Sequence, residues 1–574
     1  MTNFGSVLSA HWLPSLLSLD LTNNPLGPRG VEALARGLCA PLRSLNLACT
    51  GAKEKGVEAL AEVLREKKVS SLQSLDLIEN QMKAEGLKHL AAVVSTADAV
   101  PELRTLIPKK NNLADGATVI EYAPLSTLLS TNRLTELEVL DLSKNFFLAG
   151  SNDGVSAAAF TTASRFPKLR VLNLADTWIS PAQMNALGEG GWVGCVLEDL
   201  DLSGWRIDLN AEGLEVGVQS LANALISGSL SHFECLKLVR RNDVCPDGLE
   251  ALCRGIVSGK VMRLRTFKIQ SSEHPNNLEG EAPDFVFDES VRALAEAARE
   301  GRIPSIRNLE LDLSSGFVSP PRMSELGRAL GSVGASSLQK LDLKWMCSTE
   351  GAVVGLAEGL EGEQMSSLED LSLNAACEDP EGARALGEVL STGRAPSLRR
   401  VDLVWPASKT LSSLCEGLSV GTSPPPLMRM DLTLGAPAPG LVDYSSAMSH
   451  LSEAIRADHI SFLRKIAAFG LGDNPQTLKS FGEALTHANA RLIHLEEVDF
   501  RMQSLSAEAF LRGVGRGGSY PPALHTLSVL SGAIHTHGPA LSPLSILISE
   551  GKVPALREVK DNLAQSELGE VQAM

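Results

Sequence analysis

A few short stretches of this 574-residue chain carry residue types at spacings that chemistry uses. Gly417-Leu418-Ser419-Val420-Gly421 matches G-x-S-x-G, the pattern that makes a serine an acyl-transfer nucleophile when it sits on a sharp strand-to-helix turn. Here the stretch closes a helical pattern, so the required elbow is missing. Gly513-Val514-Gly515-Arg516-Gly517-Gly518 matches G-x-G-x-x-G, but a dinucleotide loop must leave a strand and open a helix. This one follows the helical pattern of Leu505 to Leu511 and reads as a return loop. Gly259-Lys260 and Gly551-Lys552 lack the upstream Gly and the following Ser or Thr of a phosphate-binding loop. His535 and His537 have no third ligand nearby in sequence, and Cys235, Cys245 and Cys253 lack structural zinc spacing. No catalytic residue, metal or cofactor is expected, and the chain reads as non-enzymatic.

The elements that would have to position such groups are far more regular than the groups themselves. A phrase Leu-x-x-Leu-x-Leu-x-x-Asn-x-Leu first appears as Leu16, Leu19, Leu21, Asn24 and Leu26. Its core returns, with apolar substitutions, from Leu42, Leu72, Leu103, Leu137, Leu169, Leu197, Phe233, Leu264, Ile306, Leu338, Leu368, Leu398, Leu427, Leu463, Leu495, Leu524 and Leu556. Spacing of about 32 residues is the signature of stacked repeats. Within one repeat, Ser18-Leu19-Asp20-Leu21 alternates with strand period, and Gly30 to Leu38 places apolar residues at helical spacing. The helical phrase recurs as Gly56 to Leu64, Gly248 to Ile256 and Gly382 to Leu390. Gly393-Arg394-Ala395-Pro396 shows how a repeat returns, since Gly ends a helix and Pro cannot continue one. Parallel strands joined by wider helices predict an α/β solenoid curved into a horseshoe, strands on the concave face and helices on the convex face.

These residues resemble the ribonuclease-inhibitor-like class of leucine-rich repeats, most closely over Leu16 to Val94, where Leu-Asp-Leu-Thr-Asn-Asn-Pro-Leu-Gly precedes Gly-Val-Glu-Ala-Leu-Ala-Arg-Gly-Leu. The class also contains the repeat regions of NOD-like receptors and the Ran GTPase-activating protein. The resemblance speaks to the fold; a binding scaffold that recognises a protein on its concave strand face is expected because a solenoid offers an extended, side-chain-programmable surface and the chain shows no chemistry. The resemblance also brings two alternatives: a GTPase-activating protein for a Ran-like small GTPase, for which only Arg29 is placed to qualify, or the sensor region of a larger NOD-like receptor. The ninth position is Asn or Thr in six repeats (Asn24, Thr50, Asn80, Asn111, Asn145, Thr177) and then Trp205, Arg241, Met346, Ala376, Pro406 and Leu471. The expected organisation is one array of about 18 repeats over 1–574, regular over 16–232 and degenerate over 233–574, with an inserted acidic loop at 271–288. No capping segment precedes the first repeat or follows the last, which is also compatible with a piece of a larger protein.

Composition narrows the partner. A net charge of -16 and a pI near 5.3 oppose binding to phosphate backbones or anionic lipid. Nine scattered cysteines without a C-x-x-C pair, and no N-x-[ST] sequon, point to a reducing compartment: cytoplasm, with the nucleus also compatible. No run of 18 apolar residues is present to span a bilayer. A monomer that binds a protein, and neither nucleic acid nor membrane, is expected.

Candidate partner-binding residues lie between the inward leucines. The strand centres read Asp20, Asn46, Asp76, Ile107, Asp141, Asn173 and Asp201, with Ser18, Ser44, Ser74, Thr105, Val139, Val171 and Asp199 two residues earlier on the same face. Acids alternate with neutral residues across strands about 4.8 Å apart, spacing the carboxylates by roughly 10 Å, near one Debye length. Lys237 and Lys268 interrupt the row, and Lys340 before Asp342, Arg400 before Asp402 and Arg429 before Asp431 suggest local pairing further on. The first half therefore reads as an acidic docking stripe, Asp20, Asp76, Asp141, Asp199 and Asp201, for a basic protein. Trp345 and Trp405 follow the last strand leucines Leu343 and Leu403 by two positions. They are expected at the exit rim of the strand face, either anchoring a partner or folding over the turn.

Overall fold

The computed structural model describes residues 15–560 apart from 39–40, 97–98, 114–118, 146–164, 178–180, 190–195, 205–213, 240–245, 272–285, 347–349, 363–364, 376–377, 405–407, 421–429, 436–444, 462, 472–473, 488–489, 491, 503, 517–519 and 532–557. The chain divides into two compact units, Met1–Glu281 and Ala282–Met574.

The first unit contains β1 (Ser18–Asp20), β2 (Ser44–Asn46), β3 (Ser74–Asp76), β4 (Thr105–Ile107), β5 (Val139–Asp141), β6 (Val171–Asn173), β7 (Asp199–Asp201), β8 (Cys235–Leu238) and β9 (Thr266–Gln270). Its helices are α1 (Gly27–Gly37), α2 (Lys53–Arg65), α3 (Lys83–Val94), α4 (Val119–Ser130), α5 (Pro181–Glu189), α6 (Leu214–Ser227) and α7 (Pro246–Val257). Each strand pairs in parallel with the next in sequence, so Leu19, Leu45, Leu75 and Leu106 stand side by side. These leucines are buried, while Ser18 and Asp20, and their equivalents, face away from the helices. The helices supply the other wall: α1 buries Gly30, Val31, Leu34 and Ala35, the face that helical spacing selected. Leu75 is 1% exposed, so Leu75→Ala is expected to cost about 3 kcal/mol, read from the urea midpoint. A near-neutral result would reverse the assignment of strand faces.

What holds the short strands in register is the ninth position. Thr50, Asn80, Asn111, Asn145 and Thr177 are fully buried. Asn80 Oδ1 accepts from Thr50 N (3.2 Å), Ala52 N (3.0 Å) and Thr50 Oγ1 (2.8 Å), while its Nδ2 donates to Leu47 O (2.7 Å) and Ile78 O (3.2 Å). Asn111 Oδ1 accepts from Asn80 N (2.9 Å), and Asn145 Oδ1 from Asn111 N (2.7 Å), so each repeat satisfies the turn of its neighbour. The residue before each ladder position is left-handed although not glycine: Asn23, Cys49, Glu79, Lys110, Lys144 and Asp176 have φ between 54° and 60°. The ladder offsets the roughly 1–2 kcal/mol such a conformation costs.

The second unit contains α8 (Asp288–Arg299), β10 (Asn308–Phe317), α9 (Pro320–Leu330), β11 (Lys340–Met346), α10 (Val354–Glu361), β12 (Asp370–Ala375), α11 (Pro380–Thr392), β13 (Arg400–Val404), α12 (Ser408–Val420), β14 (Met430–Gly435), α13 (Ser445–Arg456), β15 (Leu463–Leu471), α14 (Pro475–Leu485), β16 (Glu497–Met502), α15 (Ser504–Val514), β17 (Thr526–Ser531) and β18 (Glu558–Lys560). These strands also pair in parallel and in sequence order. With the Asn ladder gone, the strands run on: β1 to β7 have three residues each, whereas β10 has 10 and β11 has 7. Sheet hydrogen bonds thus take over backbone groups that asparagine serves in the first unit. Side chains bridge neighbours at the helix entrances instead. Asp379 accepts from Val353 N (2.6 Å) and Gly382 N (3.1 Å), and its own N–H donates to Thr410 Oγ1 (3.0 Å). Ser319 donates to Asp288 in the same manner, at 2.7 Å from both N and Oγ.

The two units, each a run of alternating strand and helix, make the fold an α/β leucine-rich repeat solenoid. Trp405 and the inserted stretch over 272–285 lie outside the described residues.

Candidate protein-docking face

The acidic residues of the strand face have a structural task that their spacing does not reveal. Asp20 Oδ1 accepts from Thr22 N (2.9 Å), Asp76 Oδ1 from Ile78 N (2.9 Å), Asp141 Oδ1 from Ser143 N (2.9 Å) and Asp201 Oδ1 from Ser203 N (3.0 Å). Asn46 and Asn173 do the same for Ala48 N and Ala175 N, both at 3.0 Å. One acceptor oxygen two residues before the turn is all this bond needs, which is why Asp and Asn interchange along the row.

The charge of the aspartates remains to be balanced, and the balance is uneven. Lys237 Nζ stands 3.6 Å from both Asp199 and Asp201, and Lys109 Nζ 3.8 Å from Asp141. Arg104 and Arg170, at the strand entrances, are engaged by Glu138 (2.9 Å) and Glu198 (2.7 Å) rather than by the row. Asp20 and Asp76 form no ion pair among the described residues. Burial pushes the Asp76 carboxyl above its ordinary 3.8, the Ile78 N–H draws it back, the charges of Asp141 and Asp20 add to the rise, and the Lys109 cation, beyond ion-pair distance, opposes it weakly. The exposed Asp20 carboxyl is instead lowered by its hydrogen bonds from Thr22.

A folded-state value above the unfolded one favours the fold only below about the ordinary value, and that advantage is lost as pH rises through the raised one. Asp76→Asn keeps the oxygen that Asn46 and Asn173 use and removes the charge. It is therefore expected to raise the urea midpoint at pH 7, with the gain vanishing below 3.8. A gain that persists at pH 3 would assign it to something other than charge.

In the second unit the equivalent face is paired in part: Lys340, expected beside Asp342, turns to Glu310, and Asp342 forms no ion pair among the described residues, its carboxyl being raised by burial. Lys340 binds Glu310 (2.6 Å), Lys344 binds Asp312 (3.2 Å), Arg400 binds Asp402 (2.8 Å) and Lys465 binds Glu497 (2.9 Å). Two sequence expectations need correction here. Trp345 is 2% exposed and is no rim anchor, because β11 continues past Leu343 and the two-residue period carries Trp345 inward with Leu341 and Leu343. Asp431 is not the counterpart of Asp402: it lies opposite Arg400 and Lys465, while Thr433 lies opposite Asp402. Met430, Leu432 and Leu434 alternate, so the core could slide by two residues without changing which residues share a face.

The chemical look-alikes dissolve into packing. Gly417 and Gly513 lie inside α12 and α15, where a Cβ would overlap the carbonyl oxygens of Arg384 and Lys479 on the preceding helices. Gly259 ends α7 in a left-handed turn. Among the described residues no group of three His, Cys, Asp or Glu side chains could hold a metal, and no helix is long and apolar enough to cross a membrane. His535, His537, Cys245 and Gly551-Lys552 lie outside the described residues; Cys235 and Cys253 are pushed up to about 12 by burial, far from the thiolate that zinc requires. Arg29 is exposed on the first turn of α1.

Parallel strands alternating with helices, with buried Asn and Thr bridging successive turns, make the chain a leucine-rich repeat protein of the ribonuclease-inhibitor-like type. A leucine-rich repeat family model matches residues 13–35. The ribonuclease inhibitor of Mus musculus is 31% identical over 192 residues, covering 33% of this chain and 39% of that protein. The ribonuclease inhibitor of Sus scrofa is 27% identical over 265 residues, 46% of this chain and 53% of that protein. Protein CARMIL of Dictyostelium discoideum is 24% identical over 271 residues, 46% of this chain and 24% of that protein. The chain thus spans between about a quarter and about half the length of these curated relatives. A crystal structure of an internalin from Listeria monocytogenes covers 65% of this chain and 89% of its own at 13% identity and a TM-score of 0.32, too loose a likeness to add to the fold.

Proposed function

We propose that the chain is a non-enzymatic protein-recognition scaffold whose partner, a basic protein, docks on the strand face of the first unit. The repeat class supports the general role, since a stack of repeats presents one side chain per strand at fixed spacing over a long surface. The ribonuclease inhibitors it resembles are likewise named for acting on another protein. The observation that carries the choice of face is the contrast in pairing. Asp20 and Asp76 have no ion partner among the described residues, whereas in the second unit Glu310, Asp312, Asp402 and Glu497 each have one and Asp342 stands as the unpaired exception. An incoming Lys or Arg would therefore relieve repulsion on the first face and would have to displace an existing partner on the second.

The test begins with affinity capture and crosslinking from the native cell, followed by affinity measurement with the captured protein at two salt concentrations. Asp76→Lys with Asp141→Lys is expected to weaken binding about tenfold and to flatten its salt dependence. Asp312→Lys with Asp402→Lys is expected to change it little. Equal effects from both pairs, or none from the first, would remove the docking face from the first unit.

A further inference from the structure

The outward positions of β1 to β3 are Ser18, Ser44 and Ser74 in one row and Asp20, Asn46 and Asp76 in the next. At β4 this polar pattern stops. Thr105, Val139 and Val171 lie side by side on β4, β5 and β6, and Ile107 stands two residues beyond Thr105 on the same face, opposite Asp76. All four are partly exposed. Beyond Val171 the row returns to Asp199.

Strand propensity favours β-branched residues, but it would scatter them over the nine strands rather than gather them on three adjacent ones. Ile107 also gives something up. Its row otherwise carries Asp or Asn from β1 to β7, where the side-chain oxygen accepts the N–H two residues on, and isoleucine has no oxygen to offer Lys109 N–H. An apolar group thus replaces a turn-stabilising one in the middle of a polar face, next to Asp76.

We infer that Thr105, Ile107, Val139 and Val171 form an anchor site for a protein segment that sets one aliphatic or aromatic side chain on this patch and a neighbouring Lys or Arg against Asp76. The inference rests on the docking face proposed above and specifies what that face reads. Charge complementarity selects the segment: Asp76 is the carboxylate bordering the patch without an ion partner, Asp141 being approached by Lys109 (3.8 Å) and Asp199 by Lys237 (3.6 Å). An apolar anchor desolvates the contact, and the adjacent cation then meets Asp76 at lower effective dielectric than on an open surface. A purely basic segment would leave the patch wet, and a purely apolar one would leave the carboxylate uncompensated.

A phage library of random dodecamers, selected on the immobilised full chain, tests this directly. The comparison variant combines Ile107→Asn, Val139→Ser and Val171→Ser, each copying a residue that the chain itself uses in the same row (Asn173, Ser44, Ser74). Far-UV circular dichroism and the urea midpoint check its fold, and Val171→Ser alone serves should the triple variant fail to fold. Enriched dodecamers are expected to carry an aliphatic or aromatic residue within two positions of a Lys or Arg. They should bind the variant about tenfold more weakly, and Asp76→Asn should remove most of their salt dependence. Peptides that bind parent and variant equally, or selection that enriches no such sequences, would overturn the anchor site. Purely basic peptides insensitive to the patch variants but sensitive to Asp76→Asn would overturn it while leaving the acidic docking face standing. Insensitivity of the native partner to Asp76→Lys with Asp141→Lys would remove the face itself.

Discussion

Asn80→Ala is expected to destabilise the first unit by about 4 kcal/mol, read as a lowered urea midpoint, although the residue is polar and forms no ion pair. Its side chain accepts from two N–H groups and one hydroxyl and donates to two carbonyls, all buried except the part-buried bond to Ile78 O. Alanine leaves these groups without water or protein to replace the lost amide, and each orphaned buried group costs about 1–3 kcal/mol. Asn24 offers the control within the same chain. It is exposed and donates only to Leu21 O and Thr22 O, both at 3.1 Å, so Asn24→Ala should cost about 1 kcal/mol or less. Equal losses at the two positions would mean that intrinsic turn preference, rather than the ladder between repeats, sets the cost.

The second large effect is expected in the helix layer of the second unit. Gly355→Val should cost about 4 kcal/mol or more, because a Cβ on Gly355 would overlap the carbonyl oxygen of Ser324 on α9, and backbone cannot rotate out of the way as a side chain can. The contact is mutual: a Cβ on Gly327 would lie 2.6 Å from Gly355 C and one on Gly331 2.6 Å from Gly359 O. Helices α9 and α10 therefore approach through two pairs of glycines. Gly301→Ala is the contrast. Its φ of 68° is unfavourable, but no atom lies within 4 Å of the new Cβ, so the loss should stay near the 1–2 kcal/mol of a left-handed alanine. A small effect at Gly355 would show that the helix layer can spread without loss, and the close approach would then be incidental to stability.

The proposed docking face was only partly legible. That Asp20, Asp76, Asp141, Asp199 and Asp201 share one surface followed from strand alternation, and the strand pairing places them so. Which of them remain unneutralised did not follow. Lys237 was visible within the row, but its position 3.6 Å from two carboxylates depends on β7 and β8 pairing in register. Lys109 carries no sequence signal because it lies beyond the strand, where no alternation rule applies, yet the turn brings it to Asp141. Thr105, Val139 and Val171 of the proposed anchor patch stand in the sequence in the row two residues before the strand centres. The significance of the patch needed the knowledge that Asp and Asn in the adjacent row bond to the turn, so that Ile107 departs from a structural rule.

By itself the sequence determined that strands recur at a regular spacing, that helices alternate with them and most of the residues that turn inward. These follow from two local periods, two residues for a strand and 3.6 for a helix, and neither requires knowledge of what lies alongside. Tertiary structure decided where each strand ends and what a given polar or glycine residue is for. Trp345 turns inward because β11 continues beside its neighbours, β14 settles two residues from its expected register because alternating Met430, Leu432 and Leu434 permit either, and Gly417 and Gly513 serve helix contact rather than chemistry. In each case the deciding atoms belong to an adjacent repeat, about 30 residues away, and a solenoid makes its choices through its neighbours.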